Sequence, residues 1–228
     1  MNEEDYNIAT SKRFTKGKVY RSRGMGAKVR DVMSDPKSLR SEFFTEGAYV
    51  MTFVGELSGR KNQVFLIEAL KKIKERIPEA TLCLVGDGGE REALTLHAKA
   101  LGLSDSVIFT GARRDACDFV RASDLYVSAS IIEGMPFNII EALGAGKTVL
   151  ASRIKGQEDI IEEGIDGFLY DFGDTEGFVN LVCDIYDGKL SLNSKLIKGK
   201  YLKYEKSSVF PETLSIIKKA INTDERSN

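Results

Sequence analysis

The densest run of chemically useful residues is Ser128-Ala129-Ser130-Ile131-Ile132-Glu133-Gly134-Met135-Pro136-Phe137-Asn138-Ile139-Ile140-Glu141-Ala142-Leu143-Gly144. It reads as the end of a strand, a glycine turn and the start of a helix. Glu133 stands just before that helix and Glu141 one to two turns into it, so two carboxylates could address one ligand from different heights. Carboxylates accept hydrogen bonds from hydroxyls, and sugars offer many. The free N–H groups of Met135, Phe137 and Asn138 would point out of the helix start and suit an anion such as a diphosphate. Each glutamate also has a plain structural explanation, Glu133 as a partner of the helix dipole and Glu141 as an exposed helical residue. For Glu141 that explanation is weakened by Ile139, Ile140, Ala142 and Leu143, because an unpaired charge on an apolar helix is costly.

The elements that must position these residues follow a simple rhythm. From Tyr49 onward, short β-rich apolar runs alternate with segments of helical period, the pattern of βα units and a parallel sheet. The expected strands cover 49–54, 80–85, 106–110, 125–129, 148–152 and 168–171, the second being of the doubly buried type. The segment 62–76 puts Phe65, Leu66, Ala69, Leu70 and Ile73 on one helical face, and 91–101 does the same with Ala93, Leu94, Ala98 and Leu101. A third helix is expected over 136–143, with Pro136 in its first turn, where a missing N–H costs nothing. The stretch 176–221 reads as helical with a break near Pro211. Six strands with flanking helices imply an α/β, Rossmann-like open sheet, doubly wound, whose ligand site lies at the carboxyl edge.

Composition narrows the partners. The chain has 228 residues, 33 Lys+Arg against 34 Asp+Glu, one His, three Cys and a formal net charge of -1. Such a balance gives no global reason to bind nucleic acid. Cys83, Cys117 and Cys183 are odd in number and far apart, so neither a disulfide framework nor a thiolate metal site is supported, and a reducing cytoplasm is the simplest compartment. The acidic start Met1-Asn2-Glu3-Glu4-Asp5 is unlike a signal peptide, and no apolar run reaches the roughly 18 residues of a membrane span. Lys12, Arg13, Lys16, Lys18, Arg21, Arg23, Lys28 and Arg30 form a basic stretch with no acidic residue between them. A solvated surface run is the simpler reading of it, a site for an anionic ligand or membrane surface the sharper one.

Two glycine motifs fail on inspection. Gly86-Asp87-Gly88-Gly89-Glu90-Arg91 follows a strand and opens a helix, but Arg91 occupies the third glycine position of a dinucleotide fingerprint. A glycine turn is needed there for backbone reasons whether or not a ligand binds. Gly144-Ala145-Gly146-Lys147-Thr148 ends like a P-loop, yet its order is helix then strand, the reverse of a phosphate cradle. His97 has no second His or Cys near it and receives no role.

The Glu-x7-Glu spacing of Glu133 and Glu141, inside Ser-x-x-Glu-Gly-Met-Pro-x-x-x-x-Glu-Ala, resembles retaining glycosyltransferases of family 4, which have the GT-B fold. Phe53-Val54-Gly55-Glu56-Leu57 with Arg60-Lys61-Asn62-Gln63, then Leu84-Val85-Gly86-Asp87-Gly88, Phe109-Thr110-Gly111, Ala122-Ser123-Asp124 and Asp166-Gly167-Phe168-Leu169 occur in that family's order. The resemblance covers about residues 45–175 and is strongest to bacterial enzymes that build capsular or exopolysaccharide repeat units on a lipid carrier. It implies a nucleotide-sugar donor, most often a UDP-sugar, and a glycan or lipid-linked acceptor. The implied place is the cytoplasm, with a peripheral position on the inner face of the cell membrane compatible with such an acceptor.

Carried over by position, the resemblance assigns Glu141 to the ribose hydroxyls and Glu133 to the donor sugar near the reacting face. Lys61 would meet the diphosphate, as would the helix start Gly134-Met135-Pro136-Phe137-Asn138. The family usually has arginine where this chain has Glu56, which leaves Arg60 as the candidate second cation. Gly111 and the following Ala112-Arg113 would lie beside the base. Fixed cations and helix N–H groups would stabilise the leaving diphosphate, so neither metal nor other cofactor is implied. The expected organisation is the end of a preceding domain and a linker over 1–45, a donor-binding domain over 46–205, and a C-terminal helix and tail over 206–228. A full enzyme of this kind has two Rossmann-like domains, so an acceptor domain is expected in addition. The alternative from another class is a non-catalytic fragment that binds nucleotide sugar or a partner chain through Ile131, Ile132, Met135 and Phe137.

Overall fold

A computed structural model of the protein describes residues 3–11, 19–20, 22, 26–28 and 32–224. Six strands form one parallel sheet in the order β3-β2-β1-β4-β5-β6, and each lies within two residues of its expected bounds: β1 (Tyr49–Val54), β2 (Ala80–Val85), β3 (Val107–Gly111), β4 (Leu125–Ser128), β5 (Val149–Arg153) and β6 (Gly167–Asp171). The chain order reverses between β1 and β4, and at such a switch point the loops leaving neighbouring strands part and open a crevice.

Helices cover both faces, which is why every residue of β2 is buried. On one side α3 (Gln63–Arg76), α4 (Arg91–Ala100) and α7 (Thr175–Tyr186) bury Phe65, Leu70, Leu94, Phe178 and Val182 against Met51, Phe53 and Leu84. On the other, α6 (Phe137–Gly144) and α8 (Ser194–Tyr201) bury Ile139, Ile140, Leu143 and Ile197 against Tyr126 and Val149. A third cluster joins α2 (Pro36–Phe43) and α5 (Ala116–Ala122) through Leu39, Phe44 and Phe119 beneath Val50 and Val85. The remaining helices are α1 (Glu3–Ser11) and α9 (Lys206–Asp224). Among the described residues, no helix is long and apolar enough to cross a membrane.

Several local expectations are corrected. Pro136 caps α6 instead of entering its first turn, with ψ of 87° outside the helical range. Ala93 is exposed; α4 seats only Leu94 and Ala98 on the sheet, a stripe narrower than its apolar spacing suggests. Pro211 lies inside α9. The breaks fall elsewhere, at Gly188, whose φ of 72° ends the helix before it, and at Glu205, held extended where Lys206 N–H donates to Ala27 (2.9 Å) and Ala27 N–H donates to Tyr204 (2.9 Å). Of the eight basic residues between 12 and 30, all but Lys28 lie outside the described residues.

Candidate functional site

The loop leaving β1 carries the first cations. A short 3-10 turn, Gly59–Lys61, is followed by Asn62 at φ 55°, the one non-glycine residue with a left-handed backbone among those described. Such a conformation persists only where its surroundings over-determine it. Here Lys61 and Asn62 N–H groups donate to Ser58 (2.9 and 3.2 Å), the Gln63 amide donates to the Glu56 carbonyl (2.8 Å), and Ser58 N–H donates back to Gln63 Oε1 (3.3 Å). The Arg60 carbonyl in turn accepts from Ile131 N–H at 2.9 Å, tying this turn to the loop leaving β4 across the switch point.

Within that frame Lys61 Nζ donates to Glu133 Oε1, and both residues are nearly buried, at 8% and 7% exposure. Arg60, half exposed, approaches Glu133 Oε2 at 3.8 Å and Glu56 Oε2 at 3.8 Å. Two cations and two carboxylates thus share the mouth of the crevice. Desolvating an ion pair costs several kcal/mol per ion before attraction repays it, so a buried pair at a sheet edge is not an economical way to stabilise a fold. It does hold a cation at a defined point where an anion can reach it.

Beneath the Glu133 loop lies a polar network buried among β4, β5 and β6. Ser152 donates to the Ser130 carbonyl (2.7 Å) and lies 3.2 Å from Gln157 Oε1, Gln157 Nε2 donates to Ser128 Oγ (2.9 Å), and Tyr170 donates to the Ser128 carbonyl (3.2 Å). Gly156 packs so tightly that a Cβ would stand 2.6 Å from the Glu133 carbonyl oxygen. Asn138 Nδ2 donates to the Val54 carbonyl at 2.9 Å, pinning the start of α6 to the end of β1. Tyr126 lies under the same junction, 3.3 Å from that carbonyl, its hydroxyl kept well above the usual tyrosine range by burial.

Beyond this end the crevice continues into two adjoining hollows. Val54, Gly55, Glu56, Val85, Gly86, Asp87, Ala112, Arg113 and Ala116 line one, and Arg113, Arg114, Ala116, Cys117 and Glu141 line the other. Arg113 and Ala116 are common to both. Gly111 ends β3 at φ 73° and its carbonyl accepts from Gly86 N–H (3.0 Å), so the loops leaving β2 and β3 form one floor.

The candidates named from sequence therefore divide into two groups. Lys61, Arg60, Glu133 and Gly134 meet at the switch point, with Pro136 buried beside them, while Glu141 and Arg113 border the hollows and Gly111 stands behind Gly86, lining neither. Pro136 offers no side-chain cap to α6, and within its first turn Asn138 Oδ1 accepts from Ile139 N–H (3.0 Å). Phe137 is exposed, and Asn138 acts through its side chain as a tie. Met135, expected in an exposed patch, is half-buried against the α6 cluster. Sequence reasoning gave no role to Gln63, whose partners are local, or to Gln157, Ser152 and Asp115, which each have a partner 22 or more residues away; only Ser128 and Ser130 at the end of an apolar strand hinted at the network. His97 faces Glu68 at 3.3 Å and lines neither hollow.

The family model described as glycosyl transferases group 1 matches residues 34–203. The chain belongs to this family. The matched span begins before α2 and includes all six strands, so the crevice and both loops that define it lie inside it. EpsD of Bacillus subtilis is 31% identical over 191 residues, 82% of this chain and 50% of its own length. The UDP-Gal:alpha-D-GlcNAc-diphosphoundecaprenol alpha-1,3-galactosyltransferase of Escherichia coli is 33% identical over 157 residues, 67% of this chain and 41% of its own. Among solved structures, HepE of Anabaena in complex with UDP-glucose superposes with a TM-score of 0.73 at 28% identity, over 82% of this chain and 54% of that one. The chain spans about half the length of the relatives it matches. As a group 1 glycosyltransferase chain, it carries a parallel α/β body that matches its structural relatives.

Proposed function

We propose that this chain is the donor-binding half of a retaining glycosyltransferase of family 4, which takes a sugar from a nucleotide diphosphate sugar, UDP-linked, to a glycan or lipid-linked acceptor in polysaccharide biosynthesis. The observation that carries the reading is the nearly buried Lys61–Glu133 pair at the switch point, where packing gives no reason for a charge. Lys61 meets the diphosphate as a compact cation, with Arg60 as the second and the start of α6 offering N–H groups. Glu141 receives the ribose hydroxyls, Gly111 and Arg113 border the base, and Glu133 faces the donor sugar. Fixed charges of this kind stabilise the leaving diphosphate without rearranging as the glycosidic bond breaks. HepE in complex with UDP-glucose supports the UDP choice, and the diphosphoundecaprenol in the galactosyltransferase's name supports a lipid-linked acceptor and a place at the inner face of the cell membrane. Transfer requires an acceptor domain closed over this half, and donor binding is the step assigned to the residues described above.

Calorimetry and thermal shift against UDP, GDP, ADP and UDP-sugars test this directly, since a ligand at about 100 times its Kd adds roughly 2.7 kcal/mol to a two-state fold. UDP or one UDP-sugar should stabilise selectively. Glu141→Ala should weaken UDP and uridine alike by about 1–3 kcal/mol through lost charge-assisted hydrogen bonds, and unchanged binding would sink the ribose assignment. A second reading, a partner-binding fragment without nucleotide affinity, draws on the exposed Ile131, Ile132 and Phe137, at 49%, 61% and 41% exposure. Self-association or capture through that patch with no nucleotide response would favour it.

A further inference from the structure

The segment that precedes β1 packs behind the wall of the crevice. Ser34 Oγ donates to Asp115 Oδ2 at 2.8 Å, and Asp115 holds Arg113 with both oxygens, Nε to Oδ1 and Nη2 to Oδ2, each at 2.8 Å. One turn further along α5, Asp118 Oδ2 accepts the N–H groups of both Met33 and Ser34 at 2.8 Å while its other oxygen accepts from Arg121. Asp115 and Asp118 are 9% and 1% exposed, so these are enclosed contacts and not loose surface pairs. Val32 and Met33 themselves are exposed, so hydrogen bonds, not apolar burial, hold this stretch to the body. The same segment continues into α2, whose Phe43 lies 5.6 Å from the Arg113 guanidinium, with Phe119 at 5.1 Å on α5.

Of the two residues that line both hollows, Arg113 and Ala116, Arg113 is the charged one, and each group that fixes its plane comes either from α5 and its N-cap or from residues 34–43. We infer that Ser34 and Asp115 are positioning residues for donor binding: the segment before β1 sets the pose of Arg113, and nucleotide affinity reads whether that segment is docked. The inference rests on the nucleotide-binding reading above. Its physical content is a coupling between two places, Ser34 outside the crevice and the nucleotide within it, and such a coupling is reciprocal. A docked Ser34 keeps the guanidinium ready, and a bound nucleotide that touches Arg113 holds Ser34 in place.

A double-mutant cycle read by UDP calorimetry tests it. Ser34→Ala should weaken UDP about threefold to tenfold, the range of one lost hydrogen bond. In an Arg113→Ala background the same change should matter by less than about twofold, because the residue it acts through is gone. Ser34→Thr, which keeps the hydroxyl, should restore affinity to near the parent value, and inorganic pyrophosphate, which does not reach Arg113, should bind all variants alike. Equal losses in both backgrounds, or no loss in either, would overturn the positioning role while leaving the donor-site reading intact. A parent chain that binds no nucleotide at all would overturn both.

Discussion

Two glycine loops leave the carboxyl edge of the same sheet and do opposite things. Gly86 and Gly88, after β2, are there because backbone fills the space a side chain would need: a Cβ on Gly86 would stand 1.8 Å from the Gly55 carbonyl oxygen, and one on Gly88 would stand 2.3 Å from that of Leu57. Gly134, after β4, has nothing within 4 Å of its Cβ position, and its φ is not positive. The first loop is closed by packing although Gly86 lines a hollow, and the second leaves open space beside Gly134. Glycine content alone does not mark a ligand loop; the empty space beside it, and the charges that border that space, do.

The sharpest way to break this comparison is substitution by alanine at both places. Gly86→Ala should cost more than about 4 kcal/mol or abolish folding, since a rigid backbone cannot give way and the φ of 150° disfavours a side chain. Gly134→Ala should leave the unfolding free energy within about 1 kcal/mol of the parent yet weaken UDP, because the added methyl occupies ligand space. A Gly134→Ala protein that melts early but binds normally would reverse the assignment of the two loops.

Next in size is the buried pair. Removing Lys61 leaves Glu133 nearly buried without its close partner, which should destabilise by about 3–5 kcal/mol, whereas Lys61→Met with Glu133→Leu should regain most of that loss. UDP binding should not return in the double variant. Lys61→Ala should also weaken UDP more than uridine, and an equal effect on both would contradict a diphosphate role.

How much of this was legible in the sequence depends on chain separation. The run 80–85 reads correctly as a strand because both of its faces are covered, and Thr81, itself β-branched, is the one hydroxyl-bearing residue in it. Glu133 and Glu141 are legible because one loop and one helix place them, a local arrangement of eight residues. Ser34 and Asp115 are 81 residues apart, Asn138 and Val54 84, and Gln157 and Ser128 29, so no spacing rule links them. The same limit explains Pro211: what ends the preceding helix is the pairing of Glu205 with Ala27, a contact made across the length of the chain. Local chemistry announced the candidate ligand residues, and tertiary contacts supplied the residues that hold them still.

A smaller effect separates the two ends of the crevice by pH. Arg113 holds the Asp115 carboxyl below its ordinary value of 3.8, with Ser34 adding to the effect. The native state therefore binds this proton less tightly than the unfolded chain. The stabilisation is fully present above the unfolded pKa and is lost as pH falls through the native one. Asp115→Asn should flatten the acid limb of the stability curve below about pH 4 and cost about 1–2 kcal/mol near neutrality. An acid limb identical to the parent's would show that Asp115 does not carry the pair in solution.

The smallest expected effect lies at Glu56, where the resemblance leads to the expectation of a cation. Its carboxylate stands 3.8 Å from Arg60, which Glu133 also approaches at 3.8 Å, so an incoming diphosphate competes with two carboxylates for one half-exposed guanidinium. Glu56→Gln should release Arg60 from one competitor and strengthen UDP by less than about 1 kcal/mol, as exposed ion pairs are screened by water. The gain should shrink as ionic strength rises and should be absent for uridine, which brings no phosphate to the mouth of the crevice. If uridine gained as much as UDP, Glu56 would act on the nucleoside end, and the division of the crevice into a charged mouth and a base-bordering floor would be drawn in the wrong place.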